Sequence, residues 1–269
     1  MFEPLRSVAA GLSHFPHWPS LDVCQQLTAC CHTPPVTQSG LPIRFVPQGA
    51  KPEHFSEKYE PKIYLTGEVQ TRTENWHDLF NTLAWLVFPR TKAAINARHY
   101  TALRQRELLS SGSNNRDAIQ DAFTLFDESG VIVICSDSNL IALLKNCQWK
   151  ELFWHRREET RTHMKFILFG HSLYEKALQP YIGMTGKGLI LPVDEAFLTQ
   201  PVSQQVAALD IQMADLLASP QRITSTRAFY PVPLLGMPGW AEGSESEDFY
   251  DNTQYFRPAK TAASQPPLS

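Results

Sequence analysis

A chain of 269 residues, 43% of them hydrophobic, is long enough to bury a sizeable core. Its 24 basic and 27 acidic residues give a formal net charge of −3, which leaves no basic excess for a general nucleic-acid binder. No apolar run approaches the length needed to cross a bilayer, and the opening "MFEPLRSVAAGLSHF", with its early Glu3, lacks the basic-then-apolar order of a secretory signal. Five cysteines without a C-x-x-C, two of them adjacent (Cys30 and Cys31), fit reduced thiols in a cytoplasmic protein better than disulfides or a zinc ribbon.

Residues 1–20 read as a wrap over the core. Ser20 is a fitting N-cap for a helix over 20–31, where Leu21, Cys24 and Leu27 repeat at three. Prolines 34, 35, 42, 47, 52 and 61 then predict extended, irregular chain, and "KIYLTGEV" (62–69) a short strand or turn. Asn75 caps a helix whose apolar stripe runs through Trp76, Leu79, Phe80, Leu83 and Val87, with Asp78 completing a reduced capping box. Pro89 ends it, because the residue before a proline disfavours the α region, and a second helix runs from about Thr91 to Leu109.

After a loop at 110–115, "DAFTLFDESGVIVICS" reads as an antiparallel hairpin. Its strands are expected at about 122–126 and 131–135, with Asp127 and Glu128 as turn residues and Gly130 at positive φ. A helix at 138–146, an aromatic segment at 149–154 and a charged run at 155–161 follow. Phe166 to Phe169 is a buried strand, Gly170 a turn, and His171 opens a helix that ends near Pro180. A strand at 186–193, an amphipathic helix at 203–219 and a proline-rich closing segment at 229–240 complete the pattern. The reading is an α+β protein: a mostly helical single domain around a small mixed sheet. Residues 1–61 form the N-terminal wrap, 62–240 the core, and 241–269 an acidic linker and disordered tail, although "FYDNTQYF" could also close the core or form a dimer contact.

Two polar stripes interrupt the apolar helices. His77 and Asn81 share one face of the first helix; Lys92, Asn96 and His99, at i, i+4 and i+7, share one face of the second. Polar groups on buried helices are costly unless paired, so stripes that meet at a corner make either a site or a network. His171 and Glu175 lie one turn apart at the carboxyl end of a strand, where they could orient each other or ligate a divalent metal. Neither the P-loop, the G-x-G-x-x-G, the G-x-S-x-G nor the H-E-x-x-H pattern is present.

The ordered blocks "NWHDLFN", "FPRTKAAINARH", "TLFDESGVIV", "FGHSLYEK" and "PLLGMPGW", spanning about 60–258, resemble the DUF3025 family of uncharacterised bacterial proteins. The resemblance implies a domain type and a bacterial cytoplasmic setting, with no assigned chemistry. It also implies an Arg-Asp pair before the first hairpin strand; here that pair is Gln120-Asp121, with Arg116 one turn earlier. Two functions stay open. One is a hydrolase-like enzyme on a small polar or phosphorylated substrate, in which His77, His99, His171 and Glu175 are catalytic, Asn81, Lys92 and Asn96 bind substrate, and a divalent metal is an option at His171 and Glu175. The other is a non-catalytic binding or scaffold protein in which the same residues form a buried network. The enzyme reading requires His77, His99 and His171 to face one cavity.

Overall fold

A computed structural model describes residues 1–12, 17–31, 33–108 and 118–259. Eleven α-helices are defined there: α1 (Arg6–Ala9), α2 (Leu21–Cys30), α3 (Tyr59–Thr66), α4 (Trp76–Val87), α5 (Pro89–Leu108), α6 (Ala118–Ser129), α7 (Ser138–Lys145), α8 (Arg157–His163), α9 (His171–Ala177), α10 (Glu195–Thr199) and α11 (Val202–Ala218). Strands β1 (Arg44–Pro47) and β2 (Glu68–Thr71) pair in parallel. Strands β3 (Gly130–Cys135), β4 (Met164–Leu168), β5 (Thr185–Pro192) and β6 (Tyr230–Pro233) form a mixed sheet in the order β4-β3-β5-β6, with only the β3–β5 pair parallel. The α+β class holds.

The core follows from the pleat of β3. Successive side chains on a strand face opposite sides, and "GVIVIC" is apolar at every position because both sides are covered. Val131, Val133 and Cys135 pack on the side of α4, α9 and the C-terminal segment. Ile132 and Ile134 pack on the side of α6 and α11, against Phe123, Phe126, Leu209 and Met213. Tyr250, Tyr255 and Phe256 are buried in the first of these cores, so that stretch of the segment expected as linker closes the core. No helix among the described residues is long and apolar enough to cross a membrane.

The expected hairpin is absent. Its first half is the α6 helix, and Gly130 is not among the glycines at positive φ. The buried residues Ala122, Phe123 and Phe126 recur at helical spacing, and this face outweighs the β-propensity of Phe and Thr. Strand β3 takes β4 as its antiparallel partner and β5 as its parallel one. Gly130 still cannot be replaced cheaply, since a Cβ there would meet the Phe126 carbonyl oxygen at 2.4 Å. A Cβ on Gly170 would likewise meet the Glu128 carbonyl at 2.5 Å. The second approach brings the end of α6 against the start of α9. The 62–69 stretch is mostly helix, with β2 beginning at Glu68. The cap at Ser20 and the break at Pro89 are as the sequence predicts. The loop at 110–115 and Arg116 lie outside the described residues.

Candidate functional site

Helices α4 and α5 make a corner with a single residue, Phe88, between them. Asn75 caps α4 by accepting the Asp78 N–H at 3.0 Å. Asp78 does not close a capping box. Its carboxylate accepts instead from the Arg72 backbone N–H at 2.7 Å and from the Arg72 guanidinium at 2.9 and 2.8 Å. Burial pushes this carboxyl up, but the bonds to Arg72 outweigh it and leave it below the usual range. The start of α5 is capped from outside: Asp210 on α11 accepts from Arg90 N at 3.1 Å and Thr91 N at 2.8 Å.

Lys92 points back across the corner. Its buried ammonium donates to Asn81 Oδ1 at 2.8 Å and to both oxygens of Asp127 at 2.6 and 2.8 Å. Three acceptors match the three N–H bonds of an ammonium, so the role of neutralising a substrate's negative charge has no donor left to perform it. Asp127, read from the sequence as a turn residue, is a largely buried ion-pair partner on α6. Burial raises its pKa, yet the charge of Lys92 and its hydrogen bonds outweigh this and hold it below the ordinary carboxylate value.

From Asp127 a chain of polar groups runs to α9 and back to α4. Asp127 Oδ2 lies 3.6 Å from His171 Nδ1; His171 Nε2 lies 3.0 Å from His77 Nε2; His77 Nδ1 lies 3.2 Å from Glu175 Oε2. The two rings meet edge to face. Burial drives the His171 pKa down to about 4, against the pull of Asp127, so this ring is neutral at pH 7. His171 and Glu175 are thus joined through His77 rather than to each other. No group of three or more His, Cys, Asp or Glu side chains among the described residues has metal-holding geometry. The paired imidazole nitrogens face one another, so the donors do not converge on a common point.

Beside this chain opens a cavity of about 640 Å³, lined by His77, Asn81, His99 and His171 among the residues singled out from the sequence. Lys92, Asn96 and Glu175 are not in its lining. Asn96 donates to the Glu60 backbone oxygen at 3.0 Å and to its carboxylate at 2.7 Å. His99 is the exception among the three histidines. It is 6% exposed and stacks edge-on against Phe123, and neither of its ring nitrogens makes a hydrogen bond among the described residues. It offers the cavity an imidazole not already engaged.

Sequence reasoning missed much of the lining. Gln120, Thr124, Asp127 and Glu128 line the cavity from α6, spaced at i, i+4, i+7 and i+8. That polar stripe was visible once the segment was read as a helix. On α5 the stripe of Asn96 and His99 continues to Arg106. Gln48 and Glu60 come from the proline-rich region and Gln70 from β2, where no local signal marks them.

No curated protein and no solved structure matches this chain. The profile of the family described as "Protein of unknown function (DUF3025)" matches residues 43–260, which contain every residue of the cavity and of the histidine chain, and the protein belongs to that family.

Proposed function

We propose that the protein is an acid–base enzyme of hydrolase type, acting in a cytoplasmic setting on a small polar substrate held in the cavity beside α4, α5, α6 and α9. The observation that carries this reading is the pairing of two imidazole systems on one polar cavity: a chain, His171–His77–Glu175, that begins beside Asp127, and an open ring, His99. The chain has two hydrogen-bonded links, His171–His77 and His77–Glu175, and His171 Nδ1 faces Asp127 at 3.6 Å without a hydrogen bond. Burial keeps His171 neutral at pH 7, so its Nε2 and the facing Nε2 of His77 can share one proton between them. His99 serves as general base toward a water or substrate hydroxyl, and His77, at the cavity wall, exchanges protons through His171. Lys92 and Asn96 act as cross-links between helices, and the phosphorylated class of substrate loses the cation that would have favoured it.

The network reading keeps one observation in its favour: all four nitrogens of His77 and His171 face protein groups. Turnover separates the two. The full chain is assayed with p-nitrophenyl acetate, p-nitrophenyl phosphate and lysine p-nitroanilide. Turnover of at least one, reduced roughly 100-fold in His99→Gln with an unchanged unfolding midpoint, is the expected result. Equal rates in wild type and His99→Gln, or no turnover of any probe, would leave the buried network as the better account.

A further inference from the structure

The cavity has a charge preference that its histidines do not explain. Among the described lining residues stand four carboxylates, Glu60, Asp78, Asp127 and Glu128, against two guanidiniums, Arg72 and Arg106. Lys92 and Glu175, outside the lining, add one charge of each sign and leave the balance acidic. Most of these charges are already matched. Asp78 is held by Arg72, Asp127 by Lys92, and Arg106 has a partner of its own. Among the described residues, two of the lining carboxylates have no cationic partner. Glu60 accepts only from the neutral amide of Asn96, through Oε2, and Glu128 makes no ion pair or side-chain hydrogen bond among the described residues. The buried His99 ring lines the same cavity with no hydrogen bond among the described residues, an independent polar group turned toward a ligand.

We infer that the cavity takes a small cationic molecule carrying a primary amine or guanidinium, with Glu60 and Glu128 receiving its positive charge and its reacting end at His99. The position of the reacting end rests on the acid–base reading above; the charge preference does not. A carboxylate without a partner in a partly enclosed cavity attracts a cation and repels an anion, and low-dielectric walls strengthen both effects. The wall also offers the side-chain amides of Gln48 and Gln70 to a polar ligand.

Calorimetric titration of the full chain at neutral pH tests this with 1,4-diaminobutane and agmatine as cationic probes, glucose as a neutral probe and inorganic phosphate as an anionic one. At least one amine should bind, more weakly at high salt, and Glu128→Gln should lower that affinity about tenfold or more. Glu128 is exposed, so the variant should unfold where the wild type does, and thermal melting checks this. Glu60→Gln gives a second reading from the other side of the cavity. Binding of phosphate or glucose in place of the amines, amine affinity unchanged in both variants, or no amine binding would each overturn the inference. Amine binding in a protein without turnover would sustain it while the enzyme reading fell. Turnover confined to the acetate or phosphate ester, with no amine binding, would do the reverse.

Discussion

Asp127 and Asp210 are both carboxylates buried among the same helices, and their surroundings drive them in opposite directions. Asp210 faces backbone N–H groups at the start of α5, and burial dominates, so its pKa rises. Asp127 faces a buried ammonium and two imidazoles, and its pKa falls. The lesson is that burial alone does not mark a functional acid. A helix cap needs only lone pairs, which a carboxyl with a raised pKa can still supply. A carboxylate that holds a lysine and faces a histidine has to keep its charge, and the surrounding positive groups see to that.

The sharpest way to break this contrast is to remove Asp127. Asp127→Ala strands the Lys92 ammonium in the interior, and urea unfolding should show a loss of about 3–5 kcal/mol. Most of that should return in Lys92→Met/Asp127→Leu, which removes both charges. A loss below about 1 kcal/mol in the single variant would mean that Lys92 reaches water.

The acid limb of stability comes next in size. His171 titrates at about 4 in the folded chain against 6.5 when free. The folded protein therefore binds fewer protons than the unfolded chain between those values. Stability should fall as pH drops through that window, by up to about 3 kcal/mol. Asp210 acts with the opposite sign: with its folded pKa raised, it takes up a proton first in the folded state and adds stability as pH falls toward the ordinary carboxylate range. Urea midpoints between pH 7 and pH 4 should show a flatter acid limb in His171→Gln and a steeper one in Asp210→Asn. Parallel limbs in all three proteins would refute both assignments.

The smallest effect belongs to the cap itself. Asp210→Ala leaves two backbone N–H groups without partners, and should cost about 1–2 kcal/mol at pH 7. The cavity should be untouched, so the titration with amines serves as the control.

What could be read in advance follows a physical line. The caps at Ser20 and Asn75, the break at Pro89 and the polar stripe of Lys92, Asn96 and His99 are local patterns, and local patterns survive folding. The sequence could offer His77, His99 and His171 together because each lies on an element that it defines. Asp127 was lost with the hairpin, since Phe123, Thr124 and Phe126 favour strands as single residues and a helix as a face. The Asp210 cap joins residues 120 apart, and Glu60 reaches Asn96 across 36, so no window of sequence contains either pairing. The direction of the Lys92 side chain was equally hidden: the spacing placed it on a helix face, but only packing turned it from the cavity toward Asn81 and Asp127.

The parallel pairing of β1 and β2 has a consequence for how the cavity can change. Parallel neighbours cannot be joined by a tight turn, so the chain from Arg44 to Thr71 must travel out and back, and α3 occupies the return. Gln48, Tyr59, Glu60 and Gln70 all ride on this one short excursion, while His99, Asp127 and His171 belong to elements fixed around the main sheet. One wall of the cavity is therefore carried by a different stretch of polypeptide from its imidazoles, while Glu128 stays on α6 beside Asp127. Substitutions at Gln48 or Gln70 would reshape that wall with no change to the helices that carry the imidazoles, whereas Glu60 is tied to α5 through Asn96.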